Sequence, residues 1–193
     1  DLLSMQYARI LAENAKEAQK KLATFPQEKL DSIVERVACE MEKHAAELAS
    51  LSCEETEYGR VQDKEMKDLF VCRAVKEAMR GMRCVGPLKE DASGHVLEVG
   101  IPLGVIAAIC PSTSPVSTTI YKALLAVKSG NAIVFSPHPK ALSCTLRAAK
   151  IVADAAEKAG APAGSVGCLS FGSMAGCQEL MAAPQVRLIL ATG

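Results

Sequence analysis

The residues best placed to do chemistry lie in two short turns bounded by proline. Cys110, Pro111, Ser112, Thr113, Ser114 and Pro115 follow an apolar run from Val105, and Ser136, Pro137, His138 and Pro139 follow another from Ala132 to Phe135. The segment between them reads as a helix. Pro115 suits a first helical position, Ser114 can cap the free N–H groups, and Ile120, Ala123, Leu124 and Val127 share one face before Gly130 stops the run. Strand, turn, helix, strand, turn is half of a nucleotide-binding βαβ unit. Both turns then sit at the carboxyl ends of parallel strands, the edge where open α/β sheets take ligands. A helix head after Ser114 presents free N–H groups and a positive dipole end, which suits a developing oxyanion.

Other chemistries fit the residues less well. Cys110 ends a strand at this edge, but a nucleophilic thiolate needs a base or positive field, and the sequence supplies only the helix end. Gly172 to Gly176 approaches the dinucleotide fingerprint and lacks one of its glycines, so by itself it reads as a strand-to-helix turn. His44 and His95 have no partner at metal-ligand spacing, and no metal is expected. The 22 basic and 22 acidic residues cancel, and there is no like-charge block, which argues against a nucleic-acid partner. No apolar run approaches the ~20 residues of a membrane span, and the amino terminus lacks a signal-peptide layout. The eight cysteines include no C-x-x-C pair and fall mostly inside apolar patterns, so reduced thiols and a cytoplasmic setting are expected.

These turns need elements to hold them. Of the 44 charged residues 32 fall within residues 1–90, whereas 10 of the 13 glycines come later, so composition changes near residue 90. The first part reads as solvated amphipathic helices. One spans about 4–23; another follows Pro26 through Leu30, Ile33, Val34, Val37 and Met41; a third covers 44–52 or continues the second; and one capped by Asp63 runs through Phe70, Ala74, Val75 and Met79. His95 to Ile101 reads as an extended segment with no partner among the units that follow. From Val105 the alternation is regular: strands at 105–110, 132–136, 165–170 and 187–191, with helices at 115–129, 141–159 and 173–183. Three βα units in succession imply an α/β fold with a doubly wound parallel sheet and right-handed crossovers.

Pro111 to Thr118 together with Asn131 to Ala141 resembles the CoA-acylating branch of the aldehyde dehydrogenase superfamily. The Ser136-Pro-His-Pro139 turn is specific to that branch. The likeness reaches Arg187 to Gly193, similar to the strand before the family's next glycine turn, and weakly Glu54 to Gly59. It implies a helical amino-terminal part over 1–85, an arm over 86–103 that helps build a homo-oligomer, and a Rossmann-like core over 104–193. The family's nucleophilic cysteine lies beyond the residue matching Gly193, so the chain resembles an amino-terminal portion of such an enzyme, inactive alone.

What the resemblance implies chemically is oxidation of a short aliphatic aldehyde with CoA as co-substrate and NAD as cofactor, giving acyl-CoA and NADH reversibly. The cofactor-binding positions it marks are Cys110, Pro111, Ser112, Thr113, Ser136, Pro137, His138, Gly172, Gly176, Thr192 and Gly193. Ser114 matches the asparagine that donates to the oxyanion in most members. Serine at 136, where non-acylating members carry lysine, favours NAD over NADP. The enzyme would work in the cytoplasm or inside a bacterial microcompartment. A non-catalytic nucleotide-binding or assembly module of the same fold is the alternative reading.

Overall fold

Apolar residues at helical spacing produce α1 (Leu2–Leu22), α2 (Gln27–Lys43) and α3 (Ala45–Thr56) in the computed structural model, which describes residues 1–91 and 93–192. His44 stands between the two helices, as C-cap of α2 and N-cap of α3, so the third helix is a separate element. The following helix does not begin at Asp63. α4 (Val61–Phe70) starts behind Arg60, and Asp63 lies in its first turn, where it accepts a 2.7 Å bond from the Arg60 guanidinium. α4 runs on through a π turn, Val71–Val75, into the short α5 (Lys76–Ala78).

The extended segment at 95–101 has a partner upstream. β2 (Leu97–Gly100) pairs antiparallel with β1 (Gly86–Glu90), matching Gly86 with Gly100 and Glu90 with Leu97. Gly100 must be glycine at this crossing, because a Cβ there would run into the Cys84 carbonyl. Val96, Leu97, Val99 and Ile101 of this arm stay exposed.

The main sheet comprises β3 (Val105–Ile109), β4 (Ala132–Ser136), β5 (Val166–Cys168) and β6 (Val186–Ala191), in the order β5-β4-β3-β6 and parallel throughout. α1 and α8 (Met174–Ala182) cover one face, with Ala8, Ala12, Ala15 and Leu180 packed against Val105, Ala107 and Val134. α6 (Pro115–Lys128) and α7 (Leu142–Lys158) cover the other, with α2 stacked on them as a further layer. The sheet is therefore doubly wound. β5 is shorter than the expected 165–170, and a 3₁₀ turn at Pro139–Ala141 delays α7 by one residue.

α6 differs from expectation in its burial. The sequence gives it one apolar face, yet Val116 to Ile120, Lys122 to Leu124 and Ala126 to Lys128 are all buried and Leu125 is the exposed exception in its second half. The sheet lies on one side and α2, α4 and α7 on the other, so even its threonines and lysines are enclosed. Full burial of Ile120, Leu124 and Phe135, at about 1.5–3 kcal/mol each, fixes α6 and β4 against one another and with them the two proline turns.

Candidate functional site

The strand order reverses between β3 and β6, the crevice where an open parallel sheet ordinarily binds its ligand. Here that crevice is closed by a side chain. Lys122, with no exposed surface, donates from Nζ to the Ile109 and Leu190 carbonyls, both at 2.7 Å, tying the carboxyl ends of β3 and β6. Burial lowers the pKa of its ammonium. Beside it Tyr121 and Thr192 share a 3.0 Å hydroxyl bond, so Thr192 faces α6.

Open space lies on the opposite side of β3, toward β4. A cleft of about 170 Å³ is lined by Ile109, Cys110, Ser136, Pro137, His138, Pro139, Gly172, Ser173, Met174 and Cys177. It brings together the second proline turn and the start of the glycine-bearing turn. Gly172 is what lets them meet, since a Cβ there would stand 3.1 Å from Pro139 Cα. Ser136 and Pro137 are buried at the floor while His138 is exposed. His138 Nδ1 accepts from the Lys140 backbone N–H at 3.1 Å, so in the neutral ring the proton sits on Nε2, free to donate. Apolar walls with one directed donor fit the flat base and the ribose of an adenine nucleotide.

Not every expected residue joins this cleft. Cys110 lines it but is 2% exposed, and burial pushes its thiol up to about 11, so it holds no thiolate near neutral pH. Gly176 faces α1: a Cβ would stand 3.2 Å from both Ser4 Cβ and Ser173 Oγ, and its N–H bonds the Ser173 hydroxyl that caps α8. Pro111, Ser112 and Thr113 are partly or fully exposed and do not line it, and Gly193 lies outside the described residues.

Ser114 belongs to a second, much smaller cleft at the head of α6, with Ser52, Lys64, Lys67, Asp68 and Pro115 to Ser117. It holds the N-cap position but makes no side-chain cap bond; its Oγ instead accepts from Lys67 Nζ at 2.8 Å. Next to it Lys64 is buried and donates to Ser52 Oγ at 2.8 Å and Thr56 Oγ1 at 3.3 Å. Asp68 is 2% exposed, and its Oδ2 has no hydrogen-bond partner among the described residues. Burial lifts its carboxyl to about 7, against the pull of Lys64 and Lys67.

Residues 4–193 match the aldehyde dehydrogenase family over almost the whole chain. The chain belongs to the aldehyde dehydrogenase family. It is 42% identical over 170 residues to aldehyde-alcohol dehydrogenase 2 of Entamoeba histolytica, covering 88% of this chain and 19% of that protein. An acetylating aldehyde dehydrogenase from Geobacillus thermoglucosidasius superposes with a TM-score of 0.98 at 46% identity, over 100% of this chain and 43% of that one. A propionaldehyde dehydrogenase of Rhodopseudomonas palustris, solved with bound propionyl-CoA, gives 0.84 at 25% identity over 98% and 41%. The chain thus spans about a fifth of the Entamoeba relative and about two fifths of the others.

Within this family portion, two side chains from the helical region reach helix heads unforeseen in the sequence reading. Lys67 meets Ser114 at α6, and Glu55 accepts from the Ser143 and Cys144 N–H groups at 2.7 and 2.8 Å, capping α7. Burial works against the Glu55 charge, but those N–H groups outweigh it and hold its carboxyl below the ordinary value. Among the described residues, no group of three or more His, Cys, Asp and Glu side chains is arranged to hold a metal, and no helix is long and apolar enough to cross a membrane.

Proposed function

We propose that this chain is the nucleotide-binding portion of a CoA-acylating, NAD-dependent aldehyde dehydrogenase acting on short aliphatic aldehydes. The reaction is aldehyde plus CoA plus NAD⁺ to acyl-CoA plus NADH, reversible, through a thioester on a cysteine outside this segment. The observation that carries the reading is the cleft joining Ser136 to Pro139 with Gly172, placed on the carboxyl edge of the sheet one strand away from a switch point that Lys122 occupies. The fit to an adenine nucleotide is physical: an apolar slot, a Cβ-free wall at Gly172 and a tautomer that leaves His138 Nε2 as donor.

When bound, NAD supplies hydride acceptance. The protein's own part is to hold the adenosine end in this cleft and to place the head of α6, with Ser114, on the side where charge develops on the aldehyde oxygen. CoA also carries adenine, and its acyl form is bound in the structure of the Rhodopseudomonas relative; the same groove serves both in turn. Exposed Leu97, Val99 and Ile101 on the β1–β2 arm support a homo-oligomer built through it.

The test uses the enzyme carrying this segment together with its catalytic cysteine. His138→Ala should raise the Michaelis constant for NAD⁺ several-fold, on the order of a lost hydrogen bond, and leave saturated turnover nearly unchanged, because contacts at the adenosine end are equal in ground and transition states. Ser136→Lys should shift preference toward NADP⁺. Collapse of turnover with an unchanged Michaelis constant would place His138 at the chemistry instead and sink the assignment of this cleft.

A further inference from the structure

The hydroxyl of Ser114 has an unusual partner for a residue at a helix head. It makes no bond to the first-turn N–H groups of α6; it accepts from Lys67 Nζ at 2.8 Å, across 47 residues of sequence. An ammonium has three donors and no acceptor, so the direction of this bond is fixed. With an acceptor lone pair so engaged, the Ser114 O–H must point elsewhere, and a charge-assisted bond to its oxygen polarises that O–H into a better donor.

We propose that Lys67 is a positioning residue for Ser114, holding its oxygen so that the hydroxyl proton is presented outward from the head of α6 to the oxygen of the reacting carbonyl. The inference rests on the reading above that Ser114 stands on the oxyanion side. Alone, a serine hydroxyl rotates freely and gives a single donor where an amide would give two. Lys67 removes that freedom.

The support for Lys67 is itself built. Three residues earlier on the same helix, buried Lys64 bonds Ser52 Oγ and Thr56 Oγ1 of α3, which pins α4 to its neighbour and fixes the side from which Lys67 approaches. Asp68 is buried in the same small cleft as Ser114, so α4 and the head of α6 are in direct apposition. Immediately beyond, the helix passes into the Val71–Val75 π turn, a departure from α geometry often found where a helix serves a site.

Two measurements test this. In the 193-residue chain, labelled at lysine ¹⁵N, the Lys67 ammonium should give an observable proton signal in cold, mildly acidic buffer because the bond slows exchange with water, and Ser114→Ala should abolish it. No Lys67 signal, or one indifferent to Ser114→Ala, overturns the proposal. In the enzyme that carries this segment with its catalytic cysteine, Ser114→Ala should lower turnover by about tenfold or more. Lys67→Met should lower turnover in the same direction, with the Michaelis constant for NAD⁺ unchanged, and the double variant should be no slower than Ser114→Ala. If Ser114→Ala leaves turnover intact, the oxyanion reading itself fails. If Ser114→Ala is slow while Lys67→Met is normal, or the two losses simply multiply, Ser114 keeps its role and only the positioning by Lys67 is refuted.

Discussion

Replacing Asp68 by asparagine should make the protein more stable above neutral pH and change it little in acid. Asp68 is 2% exposed between α4 and the head of α6, with Oδ2 unpartnered among the described residues. Burial raises its carboxyl from the ordinary 3.8 to about 7, and the attraction of Lys64 and Lys67 only partly offsets that rise. A carboxyl whose folded value lies above its unfolded value binds its proton more tightly when folded. Stability then falls as pH climbs from about 4 to about 7, and levels off above that window. The interval from 3.8 to about 7, at about 1.4 kcal/mol per pH unit, sets a ceiling of about 4 kcal/mol on the loss. Local rearrangement around a buried charge reduces it, and about 2 kcal/mol is expected in practice. Asparagine has the same shape and cannot ionise. Urea unfolding of both proteins at about pH 4.5 and about pH 8 isolates the effect, since every other titrating group is common to them. The asparagine variant should gain about 2 kcal/mol relative to the parent on going from the acid to the alkaline condition. Parallel stability profiles for the two proteins would show that Asp68 is not held protonated and that the reasoning from burial is wrong.

Lys122→Met keeps most of the side-chain volume but strands the Ile109 and Leu190 carbonyls, and should cost about 2–3 kcal/mol in urea unfolding; an unchanged midpoint would mean that the two bonds contribute nothing net. Glu55→Gln should destabilise by about 1 kcal/mol at neutral pH through loss of a charged cap on α7, and because the folded carboxylate sits below its ordinary 4.5, the parent should lose this advantage only as pH falls beneath that value.

What the sequence made legible was whatever local punctuation encodes. Pro111, Pro115, Pro137, Pro139 and Gly130 end or begin elements through their own backbone limits, and the strand cores, such as Ala132 to Phe135, are continuous apolar runs. β1 escaped because Gly86, Pro87, Lys89 and Glu90 have poor strand propensity, and it forms only by pairing with β2. The long-range side-chain contacts at the helix heads and strand ends escaped for a different reason. Lys67 and Ser114, Glu55 and Cys144, and Lys122 and Leu190 are separated by 47, 89 and 68 residues, and a lysine or glutamate on an amphipathic helix carries no mark that its tip will be engaged.

These contacts support the place given to the proposed nucleotide cleft. In a sheet with a glycine-rich first turn, the backbone after the first strand approaches a pyrophosphate and the next helix head receives it. The corresponding turn here, from Cys110 to Pro115, has prolines and hydroxyl residues in place of glycines, and the crevice beside it is spanned by the Lys122 ammonium. On the proposed reading, a ligand displaced from the switch point finds the next opening along the same edge, at the carboxyl ends of β3 and β4, where Gly172 lets two turns close on a slot. That displacement leaves the head of α6 unused for phosphate. The charged helical region, which from composition reads as a solvated coat, then supplies Lys67 to this head and Glu55 to the head of α7. On the proposed reading, binding at the Ser136–Gly172 cleft and charge stabilisation at the head of α6 fall to different residues, and this division is why substitutions at His138 and at Ser114 are expected to act on different kinetic constants.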